Sequence, residues 1–166
     1  MDGDELRRLQ APLKERYRAE PSAAVIVLHA EASLSESEIA CSVQTGRALV
    51  EAGLHEATGG DGTLACSGDM LLQALVACAG VTLRSVATSR GLNVTGTVRA
   101  EGDLDFRGTL GVDREAPVGF RSIRLMFDLE SGANAADLDA LITTTERYCV
   151  VLQTLAHPAD LSVARV

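Results

Sequence analysis

The sequence predicts an α+β fold, with antiparallel strands packed on two long helices in the order strands, helix, three strands, helix, strand. Three observations carry that prediction. Ser67 to Gly91 holds an apolar run from Met70 to Leu83 with no charged residue across 14 positions. Val94 to Glu101 and Phe120 to Glu130 alternate apolar and polar residues, the period of a strand with one wet face. Leu138, Leu141, Ile142, Thr145, Tyr148, Cys149, Leu152 and Leu155 follow helical spacing.

Taken in order, residues 1–22 read as a charged N-terminal helical arm, with Leu6, Leu9 and Leu13 at helical spacing and an interruption near Pro12. Residues 23–166 read as a single domain. Ala23 to Ala30 is rich in β-branched residues and predicts a strand; Leu34 to Ser37 predicts a turn and Ile39 to Gln44 its partner strand. Arg47 to Leu54 is mixed, a short strand or a turn of helix. Gly59-Gly-Asp-Gly62 is a loop that leads into the long helix; its spacing fits neither a dinucleotide fingerprint nor a P-loop. In the long helix, Ser67 suits the cap, Asp69 the positive end of the dipole and Gly91 the C′ position. Its apolar residues cover more than one stripe, which predicts burial on most sides. An uncharged run of 14 residues is short of the roughly 20 that a membrane span needs. Gly102-Asp103 predicts a break between two strands, the second being Leu104 to Leu110, and Leu161 to Val166 a short last strand. Asn134 suits the cap of the second long helix, and His157-Pro158 its end.

At 166 residues, with 46% hydrophobic and 23% charged residues, the chain has the balance of one globular domain. Aromatics are only 3%, so Leu, Val, Ile and Ala build the core. A net charge of −8 argues against nucleic acid or an anionic membrane surface as partner. No basic-then-apolar stretch opens the chain and the four cysteines form no C-x-x-C pair, so a cytoplasmic, reducing setting with free thiols is expected. The three histidines share no ligand spacing with the cysteines, and no G-x-S-x-G elbow is present.

Cys78 and Cys149 each lie on the apolar stripe of a predicted long helix. If those helices pack together, one thiolate can attack an O–O bond and the second thiol can condense with the resulting sulfenic acid. The same residue type also packs as a small hydrophobe, and spacing alone leaves both readings open. Cys41 falls in a predicted core strand, and Cys66 just before the helix cap.

The run Leu71-Leu-Gln-Ala-Leu-Val-Ala-Cys78, the glycine-rich approach to it, and Tyr148-Cys149-Val150 in a second helix resemble the OsmC/Ohr family of thiol peroxidases. Glu101 to Gly108 looks like that family's hairpin after the helix. The resemblance covers roughly residues 23–166. It implies the OsmC-like fold and an intertwined homodimer. It implies a peroxidase that reduces organic hydroperoxides through peroxidatic Cys78 and resolving Cys149. It further implies no metal, flavin or haem, and recycling by a dithiol reductant, in some members a lipoylated protein.

Three positions depart from the family's pattern. Its usual proline–glutamate pair before the helix is Ser67-Gly68 here, with Asp69 the nearest carboxylate. Its thiolate-stabilising arginine has no counterpart in the Leu34–Ser37 turn, leaving Arg16, Arg18 and Arg47 as the basic residues nearby. Proline usually follows the second cysteine, where this chain has Val150. A buried thiol among Ala and Leu needs a stabilising partner to ionise at neutral pH. Arg18, Arg47 and Asp69 are therefore the candidate thiolate-stabilising residues. A second reading follows from the same departures: a catalytically degenerate OsmC-fold dimer that binds an apolar small ligand in its interface cavity.

Overall fold

The computed structural model describes residues 3–34, 41–43 and 52–165. Among these, the chain runs α1 (Gly3–Ala19), a 3-10 turn (Pro21–Ala24), β1 (Val25–Leu34), β2 (Cys41–Val43), β3 (Ala52–Gly53) and a second 3-10 turn (Glu56–Thr58). It continues β4 (Ala65–Cys66), α2 (Ser67–Ser89), β5 (Val94–Asp105), α3 (Phe106–Thr109), β6 (Phe120–Ser131), α4 (Ala135–Tyr148) and α5 (Val150–Ala156). Mixed helix and antiparallel sheet is the predicted class. A four-stranded sheet has the order β2-β1-β5-β6, and β3 and β4 form a parallel pair. The β1–β2 hairpin is antiparallel, with Ala32 opposite Val43 and Leu34 opposite Cys41.

The fold comprises two compact units. The first takes Met1–Ala30, Gln44–Gln73 and Arg99–Met126; the second takes Glu31–Val43, Ala74–Val98 and Phe127–Val166. In the first, Tyr17, Ala24, Leu72, Ala100, Leu104 and Phe106 are buried. Helix α1 holds the Glu56–Thr58 turn, because the Tyr17 hydroxyl donates to the Ala57 carbonyl (2.8 Å) and the Gln10 amide to that of Thr58 (3.2 Å). The helix runs unbroken through Pro12, contrary to the predicted interruption. Pro12 is exposed, so the carbonyl that its missing N–H leaves without a partner is on the side that water can reach.

In the second unit, Leu75, Val76, Ala79, Leu83, Val94, Val98 and Leu141 are fully buried. Each such Leu or Val contributes roughly 2 kcal/mol by leaving water. Leu75, Val76, Ala79 and Leu83 come from one side of α2. On the opposite side Val81 is 41% exposed, and in the first unit Met70 and Leu71 are each 37% exposed. Within this chain α2 is therefore buried on one side rather than on most. The Arg84 side chain is buried too, and its guanidinium donates to the Val94 carbonyl (3.0 Å).

Five further expectations are corrected. Gly102-Asp103 does not break a strand: β5 runs straight through it to Asp105. Gly102 is there because a Cβ would strike the Phe120 ring. Leu104 to Leu110 is the end of β5 followed by α3, whose cap is the Asp105 side chain accepting from the Arg107 N–H (3.1 Å). Glu101 to Gly108 is accordingly not a hairpin. Residues 158–165 form no strand, and Leu161 and Val163 are exposed at 91% and 101%. The second long helix is interrupted, α4 ending at Tyr148 and α5 starting at Val150. Its predicted start holds, with the Asn134 side chain accepting from the Asp137 N–H (2.9 Å).

Two predictions follow from these contacts. Gly96 has φ +129° and an added Cβ would collide with the Asp128 carbonyl, whereas Gly91 has φ +66° with nothing within 4 Å. Gly96→Ala should lower stability by about 2 kcal/mol or more and Gly91→Ala by about 1 kcal/mol, read as urea midpoints. Asp105 is buried and its pKa is lowered from 3.8, first by the Arg107 side chain (2.6 Å). Unfolding then takes up a proton as pH falls, so the stability from Asp105 is present above about pH 4 and is lost below it. Asp105→Asn should flatten the acid side of the stability profile, measured as urea midpoint against pH.

Candidate active site

Helix α4 ends because Cys149 leaves the helical conformation, with φ −73° and ψ 103°. Its N–H still bonds back to the Thr145 carbonyl (2.9 Å). Its own carbonyl then accepts from the Gln153 N–H (2.9 Å), which starts α5. A new helix leaves its first N–H groups without helical partners. Here those groups belong to Val150, Val151 and Leu152, and they lie near enough to the two sulfurs to act on their ionisation. The N–H groups of Val151 and Val150 favour the ionised form of Cys78, and those of Leu152 and Val151 act in the same direction on Cys149, whose side chain makes no capping hydrogen bond.

The second unit thus brings together the two cysteines singled out from sequence. Cys78 is half-buried on α2 and Cys149 is fully buried at the α4–α5 break, and both are free thiols. The two side chains are hydrogen-bonded to each other. Their environments split them. Burial pushes the Cys78 thiol up. The Val151 N–H, the Cys149 thiol, the Thr82 hydroxyl and the Val150 N–H outweigh that and hold it below its ordinary 9.0. Burial pushes Cys149 up to about 11, and the neighbouring Cys78 adds to this because Cys149 is the partner that keeps its proton.

Thr82 is a residue that sequence reading missed. It stands four positions after Cys78, one turn along the same face of α2. Thr88, Thr144, Thr145 and Thr154 all turn their hydroxyls back to the carbonyl four residues earlier, at 2.7–2.9 Å. Thr82 instead reaches the Cys78 sulfur. The Cys–x₃–Thr spacing was the available signal. For the amides the signal was the β-branched pair Val150-Val151, which weakens a helix at that point.

The predicted stabilising charges are not among the groups that act on Cys78. Arg18 is exposed near the end of α1 in the first unit. Asp69 is half-buried in the first turn of α2, also in the first unit. Arg47 lies outside the described residues, as does the Leu34–Ser37 turn beyond Leu34, and the side chain of Cys41 is likewise not described. Cys66 is the second residue of β4, half-buried.

Such a pair can do dithiol chemistry: a poised nucleophile held against a protonated partner. In the wild-type chain, alkylation of Cys78 should titrate below pH 9 and that of Cys149 near pH 11, read by peptide mass spectrometry. Thr82→Val should move the Cys78 midpoint upward while Thr82→Ser leaves it in place. Superimposable profiles for the Val variant and the wild type would remove Thr82 from this role.

Residues 60–164 match the family model described as OsmC-like protein. No curated protein matches the chain. Among solved structures, the crystal structure of an OsmC-like hydroperoxide resistance protein from Jannaschia sp. CCS1 superposes with a TM-score of 0.55. That match covers 83% of this chain and 91% of the other, at 16% sequence identity, and the likeness is one of fold.

Proposed function

This chain belongs to the OsmC-like protein family, and from that premise we propose that it is a thiol-dependent peroxidase reducing organic hydroperoxides through Cys78 and Cys149. One observation carries the reading: the two thiols are hydrogen-bonded, with Cys78 held low and Cys149 held high. The Cys78 thiolate attacks the distal oxygen of ROOH. The O–O bond breaks, RO⁻ takes a proton from water and leaves as ROH, and Cys78, now carrying the distal OH, becomes a sulfenic acid. Cys149 then attacks the Cys78 sulfur. An S–S bond forms, the S–OH bond breaks, and the hydroxyl leaves with the Cys149 proton as water.

The same geometry supports this order of roles. The attacking group must be the more readily ionised of the two thiols, which suits Cys78. The resolving group must stay protonated until a leaving hydroxyl is there to accept its proton, which suits Cys149. An external dithiol, such as a lipoylated protein, reduces the disulfide and closes the cycle in the cytoplasm without metal or organic cofactor. Val81, three residues beyond Cys78 on α2, and Val150, next to Cys149, are 41% and 71% exposed. These apolar surfaces favour an organic hydroperoxide and a second copy of the chain that covers them in a homodimer.

One equivalent of cumene hydroperoxide added to the reduced protein should give a Cys78–Cys149 disulfide, seen by peptide mass spectrometry without reductant. Cys78→Ser should abolish turnover. Cys149→Ser should stop at a sulfenic acid on Cys78, trapped as a dimedone adduct. Full peroxide consumption by the Cys78→Ser variant would sink the proposal.

A further inference from the structure

The first unit contains a cavity of about 400 Å³ to which neither thiol of the pair contributes. Its walls are mostly apolar, with Leu54, Leu71, Leu104, Phe106 and Phe120 prominent, and no charged residue lines it. Gly102 gives the Phe120 ring its place, since a Cβ there would meet that ring. The polar group that stands out in the wall is His55. Its ring stacks on Phe106, with centroids 5.0 Å apart and planes 24° off parallel. Its Nδ1 accepts the Ala57 N–H (3.0 Å). A nitrogen that accepts carries no proton, so the ring proton sits on Nε2 and makes it a donor. Nε2 has no hydrogen-bond partner among the described residues. The ring is held on both counts, by the stack and by the turn bond. Tyr17 and Thr58 hold that turn in place, donating to the carbonyls of Ala57 (2.8 Å) and His55 (2.9 Å).

A fixed donor in a mostly apolar cavity with no charged residue in its wall has the make-up of a small-molecule site. We propose that this cavity binds a small, uncharged, largely apolar molecule whose single carbonyl or hydroxyl oxygen accepts from His55 Nε2. A charged ligand would enter without a counter-charge and lose its hydration uncompensated. About 13 heavy atoms fit, taking the ~30 Å³ that a water occupies in the liquid as the share of each. The site is independent of the thiol chemistry, and it lies on a different set of residues.

The test is a ¹⁵N NMR titration of the full chain with 2-nonanone, and in parallel with nonanoate. The ketone should give saturable shifts at the Gly68, Thr109 and Gly119 amides, which line the cavity. His55→Phe keeps a ring on Phe106 and removes the donor, so it should weaken the ketone about tenfold, the worth of one such bond. Val118 lines the cavity from a loop at 65% exposure, and Val118→Trp should fill it and weaken binding more than tenfold without touching the core. Absence of saturable shifts, nonanoate binding as tightly as the ketone, or a Kd unchanged in either variant would each overturn the proposal.

Discussion

A helix that stops at Tyr148 and restarts at Val150 has to find partners for the N–H groups at its new beginning. In this protein that requirement organises the second unit's chemistry. The restart falls on a cysteine, the new amides act on sulfur, and α2 supplies the second sulfur from the middle of its apolar length. Had α4 continued through Cys149, those amides would have closed ordinary helical bonds with carbonyls. Cys149 would then have been one more small hydrophobe in a buried stripe. The irregularity therefore sets two neighbouring thiols beside amides that would otherwise be spent on the helix.

The difference is electrostatic and local. Burial disfavours charge on both sulfurs, and it is the leading influence on each. What separates them is the direction of the hydrogen bond between them, together with the Thr82 hydroxyl, which serves only Cys78. A single negative charge is shared out to one member, and the other is held protonated by that same charge. This route to a thiolate uses backbone dipoles and a neutral hydroxyl, so it adds no buried cation needing its own partner.

Periodicity and composition made much of the fold legible. The bounds of α2 and β6 follow from runs of one residue class long enough to average over exceptions, and the Asn134 cap follows from a side chain with one good use at that position. The misreadings have a common cause, which is that a local signal had a tertiary use. Gly102 looked like punctuation and is space for a ring. Asp105 looked like the middle of a strand and is the last residue of β5 and the cap of α3, held by Arg107. Leu161 and Val163 alternate as strand residues should, yet nothing in this chain pairs with them among the described residues. Of the site, both cysteines were legible as residues of buried helices. Their separation into unequal partners was not, because it depends on the two thiols meeting each other, which helical spacing does not reveal.

The hold of α1 on the Glu56–Thr58 turn joins two parts of the chain that lie 40 residues or more apart. Both bonds reach backbone carbonyls of the turn, so loosening of the last turns of α1 and loosening of the turn are one event rather than two. Tyr17 is 2% exposed, and releasing it means opening that side of the first unit to water. Of the two holds on the His55 imidazole, the turn bond therefore depends on the N-terminal helix staying docked, and the Phe106 stack does not. The helix that precedes everything else in the chain acts as a cooperative latch on a ring it does not hydrogen-bond.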